Sequence, residues 1–273
     1  MKRKQGAGGH GDLGDVFLNM MDRVGSPEFQ KLGITEYTAI SQVLEVFFAT
    51  YDSTGTATTM TAYYLSKNPE IQDRVIEEVE AVWNKYNGEI DTSALNDMVY
   101  LTACINEALR LCPPFIRPER KCTKDWFGYR DNGVRLNIPK GANVLIPIWA
   151  MHRHPDYFPD PEKYDPERFM PENKDRLHPY AFAPFGHGPK NCIGMKFAYM
   201  SIKSILARIL MQFRFEERAD TKLQYKRGRL FVSQFEPIYL DLVRRKWIII
   251  VSDRYMNSVA DNSRVNKHFY QTP

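Results

Sequence analysis

Five stretches of this chain repeat their apolar residues at helical spacing, and polar, proline-rich or strand-like segments separate them. The first, about Asp12 to Val24, predicts a short helix. The second, Thr35 to Leu65, has Thr35 and Thr38 placed to cap it and Ile40, Val43, Leu44, Phe47 and Phe48 recurring along it. Its centre, Thr50-Tyr51-Asp52-Ser53-Thr54-Gly55-Thr56, is polar, β-branched and glycine-bearing. Such residues weaken a helix interior, so a kink or groove is expected there.

Asn68-Pro69 ends that helix, and Pro69 opens another through Trp83, with Ile71, Val75 and Val79 on one face. A further helix, about Asn96 to Leu111, runs into Pro113-Pro114. Strands are expected over Lys121 to Phe127 and over Asn143 to Trp149, the second buried through Val144, Leu145, Ile146 and Ile148. Residues 153–190 are proline-rich and show little periodicity. So long an irregular stretch argues for a braced or functional segment. A helix from about Ile193 to Met211 follows, then strands near Gln212–Glu217, Leu230–Val232 and Pro237–Leu242. The pattern is mainly α with small β-sheets and lacks the alternating strand–helix rhythm of a parallel sheet.

Composition narrows the function classes. With 43% apolar and 26% charged residues the chain is ordinary globular material. A net charge of +4 without interleaved basic and aromatic residues gives no nucleic-acid footprint. The four cysteines (Cys104, Cys112, Cys122, Cys192) lack CxxC spacing, so a disulfide framework and a zinc site are both poor readings, and a reducing compartment is compatible. The late apolar run Trp247 to Val251 is too short to span a bilayer, and no membrane anchor is visible. Residues 1–11 are polar, glycine-rich and expected to be disordered.

Cys192 is the strongest chemical signal. It lies in Phe185-Gly186-His187-Gly188-Pro189-Lys190-Asn191-Cys192-Ile193-Gly194, directly before a predicted helix. A glycine-shaped loop at the positive end of a helix suits a thiolate facing a metal. A lone cysteine is more commonly a buried structural residue. The segment Phe185-x-x-Gly188-x-Lys190-x-Cys192-x-Gly194, however, resembles the haem-binding loop of the cytochrome P-450 family, with Lys190 where that family usually has arginine.

That resemblance covers about residues 12–245 and implies the C-terminal portion of the cytochrome P-450 fold, most like the animal microsomal branch. The tail 246–273 matches nothing in it. It implies haem b with its iron held by Cys192, and Phe185, Gly188, Lys190, Gly194 and Arg120 around it. Arg120 matches an arginine that pairs with a haem propionate, as Arg117 beside it could instead. A thiolate ligand pushes electron density onto iron and favours O–O cleavage.

Two more motifs carry the resemblance. Glu107 and Arg110 sit at i and i+3 on one helix face, where an ion pair is ordinary. In the family the corresponding pair is joined by an arginine matching Arg168 of Pro166-Glu167-Arg168-Phe169, and the three brace the cysteine loop. Ala49-Thr50-Tyr51-Asp52-Ser53-Thr54 resembles the oxygen-activating segment, with Asp52, Ser53 and Thr54 as its acid and hydroxyls. Thr50 replaces a usual glycine and Ser53 a usual threonine. The bland reading is that these hydroxyls bond back to the preceding helical turn. His152 and Arg153 fall near the haem edge, with a plain structural hydrogen bond the equal alternative for His152, and His187 reads as a loop histidine packed beside the haem.

The implied function is a haem-thiolate monooxygenase, inserting one oxygen atom from O2 into an apolar substrate with electrons from NADPH through a reductase. Two alternatives stay open: a haem-thiolate isomerase of a peroxide, and a catalytically inactive interaction protein. For a full-length form the resemblance implies the endoplasmic reticulum membrane, reached through an N-terminal part that this chain lacks.

Overall fold

A computed structural model describes residues 13–226 and 235–245. Six helices come first: α1 (Leu13–Arg23), α2 (Pro27–Lys31), α3 (Glu36–Lys67), α4 (Pro69–Lys85), α5 (Thr92–Asp97) and α6 (Val99–Leu111). Strands β1 (Glu119–Lys121), β2 (Trp126–Tyr129), β3 (Arg135–Ile138) and β4 (Asn143–Leu145) follow, then the short α7 (Ile148–Met151). Two 3-10 turns, Pro166–Phe169 and Pro171–Arg176, precede α8 (Met195–Leu210), β5 (Phe213–Glu217) and β6 (Leu240–Arg244). The strands form three separate antiparallel pairs, β1–β4, β2–β3 and β5–β6.

The core lies around α6, which α3, α4, α8 and the first 3-10 turn enclose. Tyr100, Leu101, Cys104, Ile105, Ala108, Leu109 and Leu111 are all buried, so α6 is covered on every side. Its first turn has no side-chain cap of its own. Glu78 of α4 supplies one by accepting from the Tyr100 and Leu101 amides at 2.6 and 2.8 Å. Burial pushes the Glu78 carboxyl up against these amide contacts. Gln72 ties α4 to β5, accepting from Phe215 N at 2.8 Å and donating to the Phe215 carbonyl at 3.0 Å.

Helix α3 begins at the predicted cap, where Thr35 and Thr38 each accept from the other's amide. Its weak centre does not interrupt it. Ser53 donates to Ala49 O at 2.6 Å, Thr58 to Thr54 O at 2.8 Å and Thr61 to Ala57 O at 2.8 Å, so the hydroxyls are absorbed by the helix. A cavity of about 580 Å³ opens beside that segment, lined by Asp52, Gly55, Thr56, Met60, Glu236 and Ile238 among others. Ile40, Val43, Leu44, Phe47 and Phe48 are exposed on its first half.

Several strand expectations are corrected. Lys121 to Phe127 is not one strand: a turn over residues 122–125 separates β1 from β2, with Lys140 N bonded to Asp125 Oδ1 at 2.7 Å. Asn143 to Trp149 stops as a strand at Leu145, because Pro147 has no amide hydrogen for a ladder and α7 begins at Ile148. It is not buried either, since Asn143 and Leu145 are exposed and Val144 is half-buried. The last strand starts at Leu240, beyond Pro237. The expected strand Leu230–Val232, the N-terminal residues 1–11 and the tail from 246 lie outside the described residues.

Candidate functional site

The base of the site is a charged pair inside the core. Arg110 grips Glu107 with both ends of its fork, Nε to Oε2 at 2.7 Å and Nη2 to Oε1 at 2.8 Å, and neither side chain is exposed. Arg110 Nη1 donates to the carbonyls of His152 at 2.8 Å and Pro161 at 2.7 Å, and Nη2 also to Lys163 at 3.1 Å. Glu107 Oε1 accepts from Asp165 N at 2.9 Å. Arg168 completes the group at longer range, its Nε 3.5 Å from Glu107 Oε1 and its Nη2 donating to Asp160 O at 3.2 Å. The irregular segment after residue 153 thus finds partners for its carbonyls in one buried arginine. A buried pair satisfied on both sides in this way fixes geometry rather than adding large net stability.

His152 and Arg153 lie at the end of α7 and lock the same junction. His152 is fully buried, with Nδ1 3.2 Å from Arg110 O and Nε2 accepting from Ala183 N at 3.0 Å. Burial and the neighbouring Arg110 and Arg153 charges depress its pKa to about 4, so the ring is neutral. Arg153 donates to Leu111 O at 2.5 Å and to Glu162 at 3.1 Å, and lies over the Trp149 ring. His152 is therefore held in structural hydrogen bonds.

Above this base stands the cysteine loop. Gly186 and Gly188 take positive φ angles of 73° and 80°, which side-chain-bearing residues rarely adopt. The turns close through Gly186 N to Ala183 O at 3.0 Å, Asn191 N to Gly188 O at 3.1 Å and Cys192 N to Phe185 O at 2.8 Å. Gly194 caps α8, and a Cβ there would sit 4.0 Å from Cys192 Sγ. Phe185 packs back on Tyr199 of α8, rings 5.2 Å apart, and Tyr199 donates to Asn106 of α6 at 2.5 Å. Tyr199 is a support that the sequence pattern did not single out. Its spacing of three and seven residues from Ile202 and Leu206, on the buried face of α8, was the available signal.

Cys192 differs from its three companions in environment. Cys104 and Cys112 are buried, with thiol pKa values pushed up by desolvation, Cys122 is half-buried, and Cys192 is exposed. Among the described residues no group of three or more His, Cys, Asp or Glu side chains could hold a metal ion by itself. One accessible thiol on a small-residue loop instead fits an iron whose remaining ligands would come largely from a macrocycle.

The remaining candidates are more scattered. Lys190 is exposed on the loop. Arg120, opposite Val144 in the β1–β4 pair, is exposed and donates to Glu119 O at 2.9 Å. With Lys121, Cys122 and Trp126 it borders a second cavity of about 320 Å³. Arg117 is half-buried. His187 bonds Phe182 O at 3.1 Å through Nε2. Asp52 is exposed at the first cavity, while the adjacent Ser53 and Thr54 are half-buried and are not among the residues that line it. No helix among the described residues is long and apolar enough to cross a membrane.

Comparison with known proteins identifies the family. The family model described as Cytochrome P450 matches residues 2–242. This chain belongs to the cytochrome P450 family. It is similar to Cytochrome P450 3A29 of Sus scrofa, 40% identical over 208 residues, which is 76% of this chain and 40% of that relative. Cytochrome P450 3A31 of Mesocricetus auratus is 38% identical over 237 residues, 86% of this chain and 46% of its own length. Cytochrome P450 3A19 of Capra hircus aegagrus is 38% identical over 212 residues, 77% of this chain and 94% of its own length. The chain thus spans less than half the length of the first two P450 relatives.

Proposed function

We propose that this chain forms the haem-holding part of a haem-thiolate monooxygenase, with Cys192 as the iron ligand. The observation that carries the reading is Cys192 itself, the one exposed thiol among the described cysteines, on a loop bent by Gly186 and Gly188 ahead of α8. Bound haem b would supply the oxidising chemistry, one oxygen atom of O2 entering an apolar substrate while NADPH electrons arrive through a reductase. The protein's own part is to hold, shield and deliver protons.

Gly188 has open space where its Cβ would be, leaving room for a flat ligand, and Phe185 fills the loop's inner side. Lys190 and Arg120 offer cations for the haem carboxylates, with Lys190 as a point charge rather than a planar fork. Ser53 spends its proton on Ala49 O and keeps oxygen lone pairs free to accept from a water. Asp52 sits at the cavity edge, where its carboxyl would pass a proton taken from solvent to that water. The Glu107–Arg110–Arg168 group serves as scaffold beneath the loop. For a full-length form the reading includes the endoplasmic reticulum membrane.

The test is turnover in a full-length protein carrying this segment, with purified reductase and an apolar substrate. NADPH consumption matched by an oxygenated product supports the monooxygenase. Rearrangement of an organic peroxide without NADPH would favour the isomerase, and a chain that retains no haem would favour an interaction protein.

A further inference from the structure

We infer that His152 is a positioning residue for the cysteine loop, transmitting the geometry of the Glu107–Arg110 pair to Cys192 through two hydrogen bonds on one imidazole. The inference rests on Cys192 being the haem ligand. It adds a role for a side chain outside the loop and outside the charged group.

The tautomer follows from the partners. Ala183 N can only donate, so His152 Nε2, 3.0 Å away, is the acceptor. The ring proton then sits on Nδ1 and is donated to Arg110 O at 3.2 Å. Arg110 returns the contact, its Nη1 donating to His152 O at 2.8 Å. The two residues clasp each other, main chain to side chain, in both directions.

From Ala183 the path continues along the loop. Ala183 O accepts from Gly186 N at 3.0 Å, and Phe185 O accepts from Cys192 N at 2.8 Å. Every step between Arg110 and Cys192 is thus a hydrogen bond or adjacent backbone. The ring is held flat by Phe182, 5.2 Å away at 30°, and edge-on by Phe158 at 6.4 Å. Arg110 and Arg153 are the charged groups that act on it, and both oppose a charged imidazole. A neutral ring with one donor and one acceptor, locked by packing, meets the requirement that supporting residues hold a ligand by fixed hydrogen bonds.

Three variants separate positioning from packing. His152→Phe keeps the ring and loses both hydrogen bonds. His152→Asn keeps a donor toward Arg110 O and loses the link to Ala183. His152→Gln keeps an acceptor toward Ala183 N. Two readouts are taken on the full chain: amide hydrogen exchange across residues 183–192, which needs no haem, and the thiolate-type band of the ferrous carbonyl complex after haem loading. The expected result is exchange at Ala183 roughly tenfold faster in the Phe and Asn variants, the scale of one net hydrogen bond, with the Gln variant near wild type. The thiolate band is lost in the first two and kept in the third.

Wild-type exchange and an intact band in His152→Phe would overturn the inference, as would equal loss in all three variants. Cys192→Ser run in parallel distinguishes the two claims. A band surviving in that variant defeats the ligand assignment, while the exchange data still judge His152.

Discussion

Arg168 stands 3.5 Å from the same Glu107 carboxylate that Arg110 grips at 2.7 and 2.8 Å, and the buried Arg168 Nε has no hydrogen-bond partner. The two arginines are therefore unequal members of one group. Arg110 is fully buried and holds two carbonyls of the irregular segment and that of His152 at the end of α7, whereas Arg168 is slightly exposed and ties that segment at Asp160.

Removing the shared acid should be the most damaging change. Glu107→Ala leaves a fully buried guanidinium unpaired, and a loss of about 3–5 kcal/mol is expected. Arg168→Ala should cost clearly less, because Glu107 keeps Arg110 and the Asp165 amide. Chemical denaturation of both variants checks the order, and equal losses would show that Arg168 is as central as the shared Glu107.

His152 predicts a particular pH dependence. Its pKa falls from the ordinary value of 6.5 to about 4 in the folded chain, because burial disfavours the imidazolium. Between these values the unfolded chain binds a proton that the folded chain refuses. The contribution is intact above pH 6.5 and lost as pH falls toward 4, on the order of 3 kcal/mol at 1.36 kcal/mol per pKa unit. Urea midpoints measured from neutral to acid should drop for the wild type, and His152→Gln should flatten that part of the curve.

Glu78 caps a helix from outside it. Its two contacts, to Tyr100 N and Leu101 N, satisfy amides that α6 cannot. Glu78→Ala should cost about 1–2 kcal/mol, the scale of a lost N-terminal cap. Glu78→Gln, which retains an acceptor oxygen, should recover part of it. Thermal unfolding of the pair settles the point.

The α3 segment bears on proton delivery. In a full-length protein that carries it, Ser53→Thr with Thr50→Gly should raise the ratio of product to NADPH consumed. Asp52→Asn should slow turnover while leaving the ferric thiolate spectrum alone, since that carboxyl is placed at a cavity and not on the loop. Unchanged coupling in these variants would remove the segment from proton delivery.

The long helices were legible because their apolar spacing and caps agree: Thr35, Pro69 and Pro113 mark ends that the structure places within a few residues. The unbroken course of α3 was not, because propensity penalises Ser53 and Thr58 as if their hydroxyls competed with the helix, and here they join its i−4 carbonyls. The β2–β3 hairpin was missed although Asp131-Asn132-Gly133 announces a turn, with Gly133 at a positive φ of 75°. In the site, Cys192 and the Glu107–Arg110 spacing were visible as local motifs. The links from Arg110 to His152 and on to Ala183 join residues far apart in sequence, and no local pattern encodes them.

The most direct measurement is the ferrous carbonyl spectrum of the haem-loaded chain with each of Cys104, Cys112, Cys122 and Cys192 replaced singly by serine. Cys192→Ser should abolish the thiolate-type band, and the other three should retain it in whatever fraction remains folded. A band that persists in Cys192→Ser, or disappears instead with one of the other three, would contradict the assignment.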